Sequence, residues 1–176
     1  MNACKTRPMF MNRVQAAEML ASHLSVYGGC RPLIFSLTHG GLEIAEILAE
    51  SLNGEYALLT VDAASGAFSM NITKSAVLML VDDGVGKHEE AAMLAALRTL
   101  RQCHPSELVC ALPVAKVASL ARIEQLVDSL VCLHGCDEID NLARFYKHYA
   151  IAGVDEPSRT VDKFGLPIEG GMGFSI

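Results

Sequence analysis

The sequence predicts one α/β domain built on a doubly wound, mainly parallel sheet with helices on both faces. Three observations carry the prediction. Short apolar runs recur along the chain and do not alternate with polar residues, as strands buried on both faces of a parallel sheet read. Segments with helical spacing lie between most of these runs. The connections are short, and alternating helix and strand with short connections implies right-handed βαβ crossovers.

The elements follow in order. Arg13 to Tyr27 has helical spacing, with Val14, Ala17, Leu20 or Ala21, and Leu24 on one apolar face. Leu33 to Leu37 is the first apolar run. Leu42 to Leu52 returns to helical spacing through Ile44, Ile47, Leu48 and Leu52. Two more strands are expected at Tyr56 to Val61 and Ala76 to Val81. Glu89 to Cys103 carries Ala92, Met93, Ala96, Leu97 and Leu100 on one stripe. Leu108 to Val114 is the next strand, interrupted by Pro113, and Val117 to Leu126 the next helix. Leu130 to Leu133 closes the sheet. Residues 1–152 form the domain by this reading. From 153 to 176, Pro157, Gly165, Pro167, Gly170, Gly171 and Gly173 break any period, so an irregular tail is expected.

Composition narrows the function. The chain has 176 residues, of which 51% are hydrophobic, enough for one buried core. Its formal charge is −6, and no Lys and Arg run tracks a phosphate backbone, which argues against nucleic acid as a partner. No apolar stretch approaches a leader peptide or a bilayer span, so a cytoplasmic protein without membrane attachment is expected. The six cysteines lack a Cys-x-x-Cys pair. Cys132, His134 and Cys136 cluster, but their spacing matches no common zinc module, and buried free thiols are the expectation.

Ligands of open parallel sheets bind beyond the carboxyl ends of the strands. Two such loops are unusual. Thr38-His39-Gly40-Gly41 leads from a strand directly into a helix, where glycine permits close backbone approach and helix-start amides suit an anion. A tight strand-to-helix turn wants glycine as well. Asp82-Asp83-Gly84-Val85-Gly86-Lys87-His88-Glu89-Glu90 follows the third run. Adjacent carboxylates at a strand end can accept hydrogen bonds from vicinal sugar hydroxyls or hold a hydrated Mg²⁺; an Asp can also cap the following helix. Gly84-Val85-Gly86-Lys87 is no P-loop, because Val81 stands where the first glycine belongs and His88 where Ser or Thr would ligate Mg²⁺.

The order of apolar strand, glycine pair and helix, then apolar strand, Asp-Asp, glycine turn and helix resembles the type I phosphoribosyltransferases. The run Phe10 to Ala21, the run Pro32 to Ala45, and Val81 to Val85 with the later Ala111-Leu112-Pro113-Val114-Ala115 carry that resemblance over most of residues 10–150. It implies a phosphoribosyltransferase-like fold, a phosphoribosyl pyrophosphate or nucleotide ligand, Mg²⁺, and a homodimer. It also implies roles: Asp82 and Asp83 on the ribose hydroxyls and as the metal-side residues, Gly84, Val85, Gly86, Lys87 and His88 around the 5-phosphate, and Thr38, His39, Gly40 and Gly41 on pyrophosphate.

The chain departs from that pattern at two places. Gly86-Lys87-His88-Glu89-Glu90 stands where the family carries Thr-Gly-x-Thr, and Glu89 and Glu90 would repel a dianionic phosphate while complementing the helix dipole. The connection Asp62 to Ser75 is short for a lid that shields a reacting centre, and Lys74 is its sole cation. Two functions therefore stand side by side: Mg²⁺-dependent phosphoribosyl transfer, and a non-catalytic binding or regulatory module on the same fold. Two further readings concern single side chains. Arg144-Phe145-Tyr146-Lys147-His148-Tyr149 either grips a ligand or packs one helix face through Phe145 and Tyr149, and Glu43 reads as a solvated surface charge.

Overall fold

A computed structural model describes residues 8–59 and 76–149 of the chain. Five strands and four α-helices alternate within them: α1 Arg13–Leu24, β1 Leu33–Ser36, α2 His39–Leu52, β2 Glu55–Leu58, β3 Val77–Val81, α3 Glu90–Gln102, β4 Glu107–Lys116, α4 Val117–Ile123 and β5 Ser129–Cys136. All strands are parallel, in the order β2-β1-β3-β4-β5. The expected end of the second strand at Val61, the connection Asp62 to Ser75 with Lys74, and the tail 153–176 lie outside the described residues, as does the domain boundary after 152.

Strand alternation divides the core into two layers. Met79 and Val81 of β3 and Val109 and Ala111 of β4 face one side, where they meet Ala17, Leu20 and Leu24 of α1 and Ile44, Leu48 and Leu52 of α2. Leu78 and Leu80 of β3 and Leu108, Cys110 and Leu112 of β4 face the other, against Met93, Ala96, Leu97 and Leu100 of α3 and Ile123 of α4. Every residue of β3 is buried, which is why its run shows no polar alternation.

Helix ends are fixed by local chemistry. The Asn12 side chain accepts from the Gln15 amide and starts α1, while Thr38 does the same for α2 through the Gly41 amide. α2 stops at Asn53, whose φ of 53° lies in the left-handed region that ends helices and that Asn tolerates. α1 departs from expectation on its buried face. Val14 is 39% exposed, and the buried stripe is Arg13, Ala16, Ala17, Leu20 and Leu24. β4 continues through Pro113 to Lys116, because the missing N–H falls beyond Val81↔Ala111, the last pair with β3.

A third apolar cluster caps the carboxyl end of the sheet: Phe10, Ala16, Val114, Cys136, Ile139, Phe145 and Tyr146. No α-helix carries Phe145 and Tyr149. Asn141 caps a single 3₁₀ turn, Leu142–Phe145, and Tyr146 is extended, forming a parallel bridge with Phe10. Phe145 packs in the core as expected, but the reach of Tyr149 is set by extended backbone. The cysteines also depart from a uniform set of buried thiols. Cys110 is free and buried, Cys103 and Cys132 are free and partly exposed, and Cys30 is free and exposed. Cys136 is disulfide-bonded, so its burial beside Phe10 and Ile139 is that of a cross-link and not of a thiol.

Candidate functional site

The strand order reverses direction between β1 and β3, since the chain leaves β1 toward β2 and returns to β3 on the other side. Ser36 pairs with Val81 at the ends of these two strands. Thr38 and Asp82 therefore leave the sheet side by side, at the switch point where open α/β sheets hold ligands.

The structure joins the two candidate loops directly. The Thr38 hydroxyl donates to Asp82 Oδ1 at 2.5 Å and accepts from the Gly41 amide at 3.0 Å. Asp82 Oδ1 also accepts from the Asp83 amide at 2.9 Å. The glycine pair is what permits this approach. A Cβ on Gly41 would lie 2.4 Å from both Asp82 Oδ1 and Ser36 Oγ, and 2.8 Å from Asp82 Cα; one on Gly40 would lie 2.4 Å from Asp83 Oδ2. Gly41→Ala is expected to destabilise the protein by about 2 kcal/mol, because backbone and a buried carboxylate cannot both retreat. A urea midpoint within error of the wild type would show that the loops yield more than this packing implies.

Asp83 is held from three directions. Arg13 Nε donates to its Oδ2 at 2.9 Å in a buried ion pair, with Arg13 and Asp83 side chains 4% and 6% exposed. The Tyr149 hydroxyl donates to the same Oδ2 at 2.9 Å, and the Tyr146 hydroxyl donates to the Asp83 carbonyl at 2.5 Å. The Arg13 guanidinium carbon sits 4.2 Å from the Tyr149 ring centre, a cation–π contact. Arg13 Nη1 is also 3.6 Å from Glu43 Oε2, so Glu43, 43% exposed, belongs to the outer edge of this cluster and is not simply solvated.

Burial governs the charges. It pushes the Asp82 carboxyl up to about 7, with the neighbouring Asp83 charge adding to it and the Thr38 hydrogen bond opposing it. Burial works against the Arg13 charge as well, but the Asp83 carboxylate overrides it and raises the Arg13 pKa. Burial and the Asp83 charge both raise Tyr149, which stays a neutral hydroxyl donor.

The loop after the acidic pair is folded against the sheet and the helix that follows. The Val85 amide donates to the Val114 carbonyl at 3.0 Å, and the Lys116 amide donates to the Val85 carbonyl at 2.9 Å, extending the sheet by one bridge. Gly84 is wedged beneath Leu142 and Val114, with no room for a Cβ. Glu89 Oε2 accepts from the Gly86 amide at 3.0 Å. Glu90 turns away to the Ser119 hydroxyl and the Arg122 guanidinium. Gly84, Val85 and Gly86 are buried, while Lys87 and His88 are exposed. These last two line an open cavity of about 190 Å³ together with Glu89, Ile139, Asp140, Asn141, Leu142 and Tyr149. His39 is exposed at the start of α2.

The structure thus gathers Thr38, Gly41, Asp82 and Asp83 into one hydrogen-bonded cluster with Gly40 packed against it, and sets Lys87 and His88 on a cavity rim. The sequence does not single out Arg13 as a site member, whereas Tyr146 lies within the run Arg144 to Tyr149 that reads either as a ligand grip or as packing. The signal for Arg13 was present: a cation on the stripe Arg13, Ala16, Ala17, Leu20, Leu24 requires a buried acidic partner.

Comparison with solved structures places the fold. The protein TT1426 from Thermus thermophilus is similar with a TM-score of 0.67 and 21% identity, over 79% of this chain and 90% of that one. Adenine phosphoribosyltransferase from Rhodothermus marinus gives a TM-score of 0.53 at 12% identity, over 68% and 77% of the two chains. Orotate phosphoribosyltransferase from Aeropyrum pernix gives 0.52 at 15%, over 68% of each. No protein-family model and no curated protein sequence matches the chain. The five-stranded parallel sheet with helices on both faces matches the fold of these two phosphoribosyltransferases.

Proposed function

We propose that this protein binds a phosphoribosyl or nucleotide ligand at the switch point between β1 and β3, as a binding module in which transfer chemistry is secondary. The observation that supports the reading best is the Thr38–Asp82 hydrogen bond, which makes the glycine-pair loop and the acidic pair one site at the carboxyl ends of the strands. Asp82 and Asp83 take the ribose hydroxyls. Lys87 and His88, on the rim of the cavity, take the 5-phosphate with Gly84, Val85 and Gly86 as the floor. His39 and Gly40 take the pyrophosphate end, at a helix start whose Gly41 and Leu42 amides are already engaged by Thr38.

The chain's own residues temper the transferase reading. The amides of Val85 and Gly86 are engaged by Val114 and Glu89, so the phosphate grip rests on two exposed side chains. Direct Mg²⁺ ligation by Asp82 and Asp83 fits poorly, because the Arg13 guanidinium already neutralises Asp83 at 2.9 Å. Among the described residues, no group of three or more His, Cys, Asp and Glu side chains stands ready for a metal ion. Mg²⁺ in this reading arrives on the phosphates of the ligand. Phosphoribosyl transfer from phosphoribosyl pyrophosphate is the second reading, favoured by likeness to an adenine and an orotate transferase. The same proposal takes the protein as cytoplasmic and homodimeric.

Calorimetric titration with phosphoribosyl pyrophosphate and Mg²⁺ tests the site. Micromolar binding is expected, weakened about tenfold when Lys87 and His88 are both replaced by Ala, since removing two exposed side chains leaves the fold intact while removing the phosphate contacts. Silence toward phosphoribosyl pyrophosphate, ribose 5-phosphate and nucleoside monophosphates would overturn the ligand reading. Release of pyrophosphate in the presence of a base would move the second reading into first place.

A further inference from the structure

The segment 141–149 takes no part in the ligand contacts proposed above, yet its Tyr146 and Tyr149 hydroxyls cover Asp83. We infer that it is an autoinhibitory strap, in which the Tyr149 hydroxyl occupies on Asp83 the place of a ligand hydroxyl and must leave before a sugar can bind. The inference rests on the ligand reading above. Hydroxyls from within the chain already occupy both carboxylates: Tyr149 donates to Asp83 Oδ2 at 2.9 Å while Thr38 donates to Asp82 Oδ1 at 2.5 Å. A ribose offering two adjacent hydroxyls to the same two carboxylates competes with both.

Among the described residues the strap is fastened through its backbone to residues 9–11 and through its two tyrosine hydroxyls to Asp83. The Met9 and Phe10 amides donate to the Phe145 carbonyl at 2.8 and 2.9 Å; the Lys147 and His148 amides donate to the Phe10 and Met11 carbonyls, each at 2.8 Å. Phe145 and Tyr146 anchor its first half in the apolar cap with Phe10. Lys147 and His148 are exposed, and Tyr149 is only half-buried. Beyond Tyr146 the apolar contacts among the described residues are those of the Tyr149 ring with Tyr146 and the cap, so residues 147–149 lift at the loss of those contacts and of two backbone bonds while the anchor stays. Tyr149 also lines the cavity that Lys87 and His88 border, so lifting it joins that cavity to the acidic pair. Arg13 remains on Asp83 when Tyr149 leaves, so the carboxylate is never left without a partner.

Tyr149→Phe removes the hydroxyl and keeps the ring over Arg13. Phosphoribosyl pyrophosphate with Mg²⁺ is expected to bind the variant about tenfold more tightly than the wild type in calorimetry, because one competing hydrogen bond to a charged acceptor is gone. In hydrogen exchange, the Lys147 and His148 amides of the wild type should lose protection at saturating ligand. Equal or weaker affinity in the variant, with the wild type binding, overturns the strap and leaves the ligand reading intact. Retained protection of both amides at saturation does the same. Silence of both proteins overturns the ligand reading and the strap with it.

Discussion

Arg13→Met is expected to cost about 3–5 kcal/mol of stability, a large share of what a domain of this size possesses. The guanidinium is the sole cation touching Asp83 among the described residues, at 2.9 Å, and both side chains are almost wholly buried. Removing it leaves a carboxylate whose remaining support is the Tyr149 hydroxyl. A neutral donor cannot replace the lost charge in a site where water is excluded, so the carboxylate must protonate or drag the site open. Because the single variant could fail to fold, the informative measurement is the pair. Arg13→Met with Asp83→Asn should recover most of the loss, since the ion pair is roughly as costly to desolvate as it is favourable to form. A double variant no more stable than Arg13→Met in urea unfolding would assign the role of Arg13 to its packing against Tyr149 instead of to its charge.

That ion pair marks the limit of what the chain discloses before folding. The sheet was legible because β3 and β4 are apolar throughout their length, and a parallel sheet covered on both faces demands that pattern. The meeting of the two candidate loops was legible because glycines and paired carboxylates are unusual at strand ends. Arg13 was misjudged because helical spacing alone allows two neighbouring stripes, one through Val14 and one through Arg13, and hydrophobicity favours the wrong one. The choice is made 70 residues away in sequence by Asp83. Tyr149 was misread for a related reason: Phe145 and Tyr149 at i and i+4 look like one helix face, whereas Asn141 permits only a single 3₁₀ turn and the chain then pairs with Phe10. Glu89 was legible as a residue that competes with phosphate, and the bond it forms is to the Gly86 amide.

Asp82→Asn is expected to stabilise the protein at pH 8 by about 2–4 kcal/mol and to flatten the pH dependence of stability between about pH 4 and 7. In the folded protein burial pushes the Asp82 carboxyl up to about 7, against an ordinary value of 3.8 when the chain is unfolded. Between those two values the folded state holds a proton that the unfolded state has released. Folded molecules then bind more protons than unfolded ones, and stability falls as pH rises through this window, reaching its lower plateau above about 7. Asn removes the ionisation while its side-chain oxygen can still accept from Thr38, the bond that ties the two loops together, and from the Asp83 amide. Urea midpoints at pH 5 and pH 8 decide the matter: the wild type should drop between them and the variant should not. Parallel curves for the two proteins would mean that Asp82 titrates like an exposed carboxyl and that solvent reaches the switch point. The same substitution separates folding from binding. A ribose hydroxyl bonds best to an ionised carboxylate, so the variant should gain stability and lose affinity for phosphoribosyl pyrophosphate together. That opposition is what a buried charge kept for a ligand produces, and a carboxylate kept for the fold alone does not show it.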